Sequence, residues 1–600
     1  MQFGATRGNF CVWAPRVSRM DVKILKHGGV YPMKRDAEGN FSVFVDKARP
    51  GDRYYYVIDG NRERPDPVSA FQPDGVHGPS EIVDHAAYRW SDARWKGLGL
   101  SDYIFYELHV GTFTPAGTFD AVIRKLPYLG KLGITCIELM PVAQFPGARN
   151  WGYDGVGLYA VQNTYGGPDG LRRLVDACHR QGLAVCLDVV YNHLGPEGNY
   201  LHDYGPYFTN RYHNSWGDAV NFDGADSDPV RRFFIDNALF WVTHYHIDCL
   251  RLDAVHGIYD FGATHILEEL QRAVQEQAGR LRRKVVVVAE SDLNDSRIIR
   301  PVKAGGFGLD TQWSDDFHHA VHVTLTGEKN GYYEDFSGLT DIVKSLRNAF
   351  VYDGRYSVSR VRTHGNSTHG IPAEKFVICT QNHDQIGNRA FGDRLSQTLT
   401  FAEQKMIAGL LLFSPYLPLL FMGEEYGEPA PFQYFVDHGD KDLVEAVRNG
   451  RKKDFEAFGW DKIPDPKSKA TYDKSKLNWK LVSKGPHKHL LNFYGDMLAL
   501  RKKFKIGSNR NRKQLQVECS DKTQCLAVGY REGAKSAPFA IFSFSDKPVT
   551  LKLPLGRKAF DPVIYSDETR YGGKSKNKLK CRAGEMTLAP KSAVVGSARP

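Results

Sequence analysis

Several chemistries are excluded by what the chain lacks. None of its nine cysteines forms a CxxC pair, so a zinc knuckle or dithiol redox motif has no support. HExxH-type spacing is absent, which argues against a catalytic metal, and no cofactor is implied. No GxSxG elbow is present, so the Asp–His step at His383–Asp384 is not part of a serine-hydrolase set. The opening residues, MQFGATRGNFCVWAP, lack a basic start followed by an apolar run, and no signal peptide is expected. The most apolar stretch, Met406–Met422, is short for a bilayer and is broken by Pro415 and Pro418. It reads as a buried helix, a turn and a strand, with no membrane association. There are no internal repeats and no low-complexity tract.

What is present is an ordinary globular composition. Hydrophobic residues make up 42% and charged residues 25% of 600 residues, enough for a large core and more than one domain. The formal charge of +10 raises nucleic acid as a partner, but Lys and Arg are dispersed rather than gathered in a stripe. The densest basic stretch, Lys574–Arg582, reads as a solvated hairpin tip. Five cysteines (Cys136, Cys178, Cys186, Cys249 and Cys379) lie in or beside apolar runs. They read as small core residues of a reducing, cytoplasmic compartment.

Residues 1–100 carry short strand-like runs between Gly, Asp and Pro turns, ending in the Pro-rich stretch Pro65–Ser80. A small β-sandwich is expected there. From residue 101 to 504 the rhythm changes. Eight runs (YIFYELHV, CIELMPV, AVCLDVV, IDCLRLDA, KVVVVAE, FGLDTQW, KFVICTQN and YLPLLFM) alternate with helical stretches, the signature of an α/β fold of the (β/α)8 TIM-barrel kind. Two connections are long, 191–229 after the third strand and 313–374 after the sixth, the latter with one helix, DIVKSLRNAF. Long loops at the carboxyl face shape access to a site. Residues 505–600 return to β-like runs, a second sandwich.

Three acids sit at the polar ends of apolar runs: Asp253, Glu290 and Asp384. In a parallel barrel those ends open on one face, where active sites lie. Arg251 and Asp253 are two apart, so both side chains point inward. The arginine keeps the carboxylate ionised, as a nucleophile requires and as a purely structural ion pair would show equally. Four valines precede Glu290, so desolvation is expected to raise its carboxyl and suit it to donate a proton. Asp188, Asn192 and His193 are polar at the end of the third strand. Tyr153 and Asp154 lie on the loop after the second, where Tyr153 is either a sugar platform or plain packing.

Taken together, DVVYNH, RLDAVH, the terminal Glu of VVVVAE, and QNHD appear in the order that marks the α-amylase superfamily of retaining glycoside hydrolases, which the chain resembles. The resemblance implies Asp253 as nucleophile, Glu290 as acid and then base, and Asp384 as transition-state stabiliser. It implies sugar contacts at Tyr153, Asp154, His193, Arg251, His256, His383, Gln385 and Asn388, and at Asp315, Asp316, His318 and His319 of the DDFHH segment. Such an enzyme has its two reacting carboxyls about 5–5.5 Å apart. Longer segments (ELHVGTFTPAGTF, AESDLNDSR, LTGEKNGYY, FMGEEYGE) imply a hydrolase acting on maltooligosyl trehalose and related α-1,4-glucans, working alongside a maltooligosyl trehalose synthase. A glucan-branching transferase of the same superfamily is the alternative. A non-catalytic glucan-binding barrel is disfavoured, because all three acids are present.

Overall fold

The computed structural model describes residues 8–214, 216–456, 463–508, 512–531, 536–577 and 579–599. Eight parallel strands close into a barrel: β1 (Phe105–Leu108), β2 (Cys136–Leu139), β3 (Ala184–Val189), β4 (Cys249–Leu252), β5 (Val286–Ala289), β6 (Thr311–Trp313), β7 (Phe376–Cys379) and β8 (Leu417–Phe421), with β8 returning to pair with β1. Every strand falls within one of the eight apolar runs. They form strands because both faces of a parallel barrel are buried, which continuous β-branched and apolar runs satisfy.

Alternation assigns the two faces. One buried cluster draws on all eight strands: Phe105, Cys136, Ala184, Cys186, Cys249, Val286, Val288, Trp313, Val377, Cys379, Leu417 and Leu419, with Tyr103. This is the barrel interior. Four of the five core cysteines expected from sequence lie here, and the fifth, Cys178, is buried on the helix Gly167–Arg180. A thiol is small, and the narrow layer beneath the site carries Cys186 level with Cys249. Two residues further along those strands, Asp188 is level with Arg251, and Arg251 with Val288. The small layer leaves room above it for a guanidinium.

The apolar stretch from Met406 resolves into the helix Phe401–Phe413 and strand β8. Among the described residues no helix is long and apolar enough to cross a membrane. The connection after β6 carries two helices, Asp316–Thr326 and Gly338–Asn348, and the hairpin Asp353–Ser357/Arg362–Gly365. The first helix was not expected. Its sequence, DFHHAVHVTLT, is rich in His and β-branched residues, which disguise a helical period. Strands Asn9–Trp13, Met20–Ile24, Asn40–Phe44 and Arg53–Ile58 build two small sheets before the barrel. After it come a five-stranded sheet, from Leu515–Ser520 to Ser592–Arg599, and the pair Val549–Lys552/Glu585–Leu588. Lys578, within the basic stretch, lies outside the described residues.

Replacing Cys249 by Leu overfills the layer under Arg251. The expected cost is about 1–3 kcal/mol of stability with a loss of turnover, read by thermal unfolding and kcat. A variant as stable and as active as the parent would show that this layer is not close-packed.

Candidate active site

Arg251 is the centre of the site. It is fully buried. Its Nη1 donates to both oxygens of Asp188, at 2.9 and 2.8 Å, and to Asp253 Oδ1 at 2.9 Å. Its Nη2 lies 3.0 Å from Glu290 Oε2, and its guanidinium sits 4.3 Å from the Trp313 ring centroid. Asp253 follows β4 and Glu290 follows β5, adjacent strands in register. Their backbones are cross-tied beyond the sheet: Glu290 N–H donates to Leu252 O (3.0 Å) and Val255 N–H to Glu290 O (2.9 Å). Between them Ala254 takes φ +37°, a left-handed conformation that a residue with a Cβ adopts under constraint. Its N–H donates to Glu290 Oε2 at 2.6 Å. The two carboxyls predicted to react therefore share one arginine and one turn.

Both lie in a poorly solvated site, with opposite results. Burial and then the charge of Glu290 push the Asp253 carboxyl well above its ordinary value, against the pull of Arg251. Burial also pushes Glu290 up, but Arg251 and the Ala254 N–H outweigh it and leave that carboxyl lowered. The valines of β5 were expected to raise Glu290, and Arg251 to hold Asp253 ionised. The structure reverses the order, because the arginine also reaches Glu290 and the 254 turn adds a donor only there. Two acids on one guanidinium titrate as a pair, and one proton serves both.

Asp384 lies in the first turn of the helix His383–Gly387, capped by the Asn382 side chain, which accepts from Gln385 N–H at 2.9 Å. Its Oδ1 accepts from Asn388 Nδ2 at 3.0 Å, and its Oδ2 lies 3.5 Å from His383 Nε2. His383 is held from below by Glu107 of β1, which contacts Nδ1 and accepts the backbone N–H at 3.0 Å. Burial pushes the imidazole down, but Asp384 and Glu107 together raise it to about 10, so it is a cation. Tyr153 stacks on His383 with centroids 5.1 Å apart, lies 2.8 Å from its Nε2, and donates to Asp188 at 2.6 Å. One face of that ring is thus taken by the histidine.

The remaining expected residues divide. His193 packs against Trp216 (centroids 4.1 Å) and bonds Tyr153 O at 3.0 Å, and burial lowers it to about 4. It is neutral. His256 faces Asp292, with Nε2 3.8 Å from that carboxylate. Asp315 feels burial and the charges of Glu290 and Asp384, which raise it to about 8. His319 is lowered to about 3 by burial and packs against Tyr332 and Phe336. Four residues have work inside the protein instead. Asp316 accepts from Asn294 Nδ2 and from Val351 and Tyr352 N–H. His318 bonds Thr380 O and Tyr333 OH. Within the DDFHH segment, Asp316 and His318 thus have intramolecular partners, and Asp315 senses the charges of Glu290 and Asp384. Asp154 accepts from Asn150 Nδ2 at 2.6 Å. Gln385 is buried in a small space with His318, His322 and Arg389.

Sequence reasoning missed Glu107, Trp313 and the Ala254 turn. A signal for the first exists: a Glu set inside an apolar strand, as in FYELHV, has no bland reading in a parallel barrel.

The comparisons agree with this fold. The model of the alpha-amylase catalytic domain matches residues 88–219. Curated proteins named malto-oligosyltrehalose trehalohydrolase are similar to the chain: that of Saccharolobus solfataricus at 48% identity, over 84% of this chain and 86% of its own, and that of Mycobacterium tuberculosis strain H37Rv at 48%, over 82% and 86%. A glucan branching enzyme of Geobacillus stearothermophilus is 28% identical over 71% of the chain and 68% of its own. A crystal structure described as a putative alpha amylase from Salmonella typhimurium superimposes with TM-score 0.88 at 37% identity, covering 98% of this chain and 97% of its own.

Asp315 supplies a pH test. Its folded value, about 8, lies above the ordinary carboxyl, about 3.9, so the folded state binds the extra proton between the two. Its contribution to stability is whole at low pH and is lost as pH rises through 8. Asp315→Asn is expected to flatten the fall in Tm between pH 5 and about 9. An unchanged slope would show that Asp315 is ionised throughout.

Proposed function

The chain belongs to the malto-oligosyltrehalose trehalohydrolases of the alpha-amylase family, and we propose that it hydrolyses the α-1,4 bond between a maltooligosyl chain and its trehalose end, releasing trehalose. The observation that carries this reading is the placement of Asp253 and Glu290 on one buried guanidinium at adjacent strand ends, in a chain 48% identical to relatives so named.

In this reading the residue roles are those the family resemblance implies, and the shared guanidinium supports them. Asp253, held by Arg251, is the nucleophile and forms a glycosyl ester on the anomeric carbon. Glu290 protonates the departing trehalose oxygen, then takes a proton from the water that cleaves the ester. The reactive arrangement needs the shared proton on Glu290. A bound substrate selects it, because the glycosidic oxygen at Glu290 is an acceptor for that proton while the electropositive carbon at Asp253 favours the bare carboxylate. Asp384, beside the cationic His383, grips ring hydroxyls and stabilises the oxocarbenium-like transition state. Tyr153, His193, His256, Asp315, His319 and Asn388 line the sugar path, and Asp154, Asp316, His318 and Gln385 support it. The same reading divides the chain into a brace (1–100), the catalytic barrel (101–504) and a terminal sandwich (505–600). It places the enzyme in the cytoplasm, next in sequence to a synthase that makes maltooligosyl trehalose.

With maltotriosyl trehalose as substrate, trehalose release is expected, with no new branch points on amylose; branch formation instead would assign a transferase. Asp253→Ala and Glu290→Gln are each expected to lower kcat by about a thousandfold or more with the fold intact by circular dichroism. Near-normal turnover in either variant would remove that residue from its role.

A further inference from the structure

One carboxyl group in the barrel interior has no part in the reaction above. Glu138 stands two residues past Cys136 on β2, so strand alternation sends it into the interior that Cys136 helps to fill. It is level with Glu107 on β1 and with Cys186 on β3. It is 1% exposed, and neither carboxyl oxygen has a hydrogen-bond partner among the described residues. The charged groups that face it are Glu107, Arg251, Asp188 and His383. The thiols of Cys136, Cys186, Cys249 and Cys379 complete its titratable surroundings.

Those charged neighbours are already committed. Glu107 contacts the His383 ring and its backbone N–H. Asp188 takes the Arg251 guanidinium and the Tyr153 hydroxyl. An ionised Glu138 would therefore stand without a donor beside the like charge of Glu107, an arrangement that neighbouring carboxylates avoid by keeping a proton. We propose that Glu138 is a positioning residue of the catalytic site, working as a neutral acid in the barrel floor so that Glu107 stays with His383 and Asp188 with Arg251. Its burial, and then Glu107, push its carboxyl well above the ordinary range, with Arg251 opposing. A charge at Glu138 would compete for Arg251 and His383. It would also deepen the negative potential under Asp253 and Glu290, so that both hold protons and the nucleophile is lost.

The kinetic part of this inference rests on the trehalohydrolase reading; the protonation state does not. Infrared difference spectra of the parent against Glu138→Gln at neutral pH are expected to show the carbonyl stretch of an un-ionised carboxylic acid in the parent alone. Loss of a carboxylate band instead would overturn the proposal. In kinetics, Glu138→Gln, which keeps the shape and the neutral polar group, is expected to hold kcat within about twofold and to leave both limbs of the pH profile in place. Glu138→Lys, which puts a charge in that space and draws Glu107 and Asp188 away from His383 and Arg251, is expected to lower kcat about tenfold or more with KM little changed. Full turnover in the Lys variant, or a limb displaced by about a pH unit in the Gln variant, would overturn the positioning role. Should the Lys variant fail to fold, the spectra and the Gln profile decide. A parent that releases no trehalose but shows the acid band refutes the functional reading and leaves the protonation claim standing.

Discussion

The Arg251 guanidinium has no access to solvent, and a charge so placed is tolerated only where carboxylates surround it. Here Asp188 holds it from β3, Asp253 from its own strand, and Glu290 from beyond β5. Trp313 closes its face from β6. One cation thus ties four consecutive strands at a common height. The strained turn at Ala254 follows from the same demand: the chain leaves β4 by a left-handed step that aims an N–H at Glu290. The thiol layer beneath follows too, since bulkier side chains at Cys186 and Cys249 would take the space the arginine needs.

The site's charges form two linked groups. Arg251 gathers Asp188, Asp253 and Glu290. His383 gathers Glu107, Asp384 and the Tyr153 hydroxyl. Tyr153 joins the groups through Asp188. Two cations against this many acids leave protons to be shared, and burial decides where they rest. Asp253 rather than Glu290 is the more basic member of the reacting pair in the free protein. Proton placement between the two carboxyls is thus sensitive to what binds beside them.

The barrel was legible because a buried parallel strand needs an unbroken apolar run, and all eight runs were long enough to stand out against their flanking turns. The three acids were legible for the same reason, since each ends such a run. The segment after β6 was read less well. Its helix Asp316–Thr326 has no clear helical period, and within DDFHH nothing local separates Asp315, which senses Glu290, from Asp316, which straps the backbone at residues 351 and 352. That distinction is set by partners some 35 residues away in sequence. The ordering of Asp253 and Glu290 was misread because it depends on where the second guanidinium nitrogen reaches, which strand spacing does not specify. Glu107 and Glu138 were overlooked as members of strand patterns, although an acid at an inward position of a parallel strand is itself the anomaly to follow.

If Arg251 is the common anchor, a cation that cannot span three carboxylates should fail in its place. Lysine keeps the charge but offers a compact ammonium instead of a planar fork. Measuring kcat and KM of Arg251→Lys on maltotriosyl trehalose is the direct test. The account expects kcat to fall about a hundredfold or more, with a smaller change in KM. A lysine variant that turns over at the parental rate would contradict it.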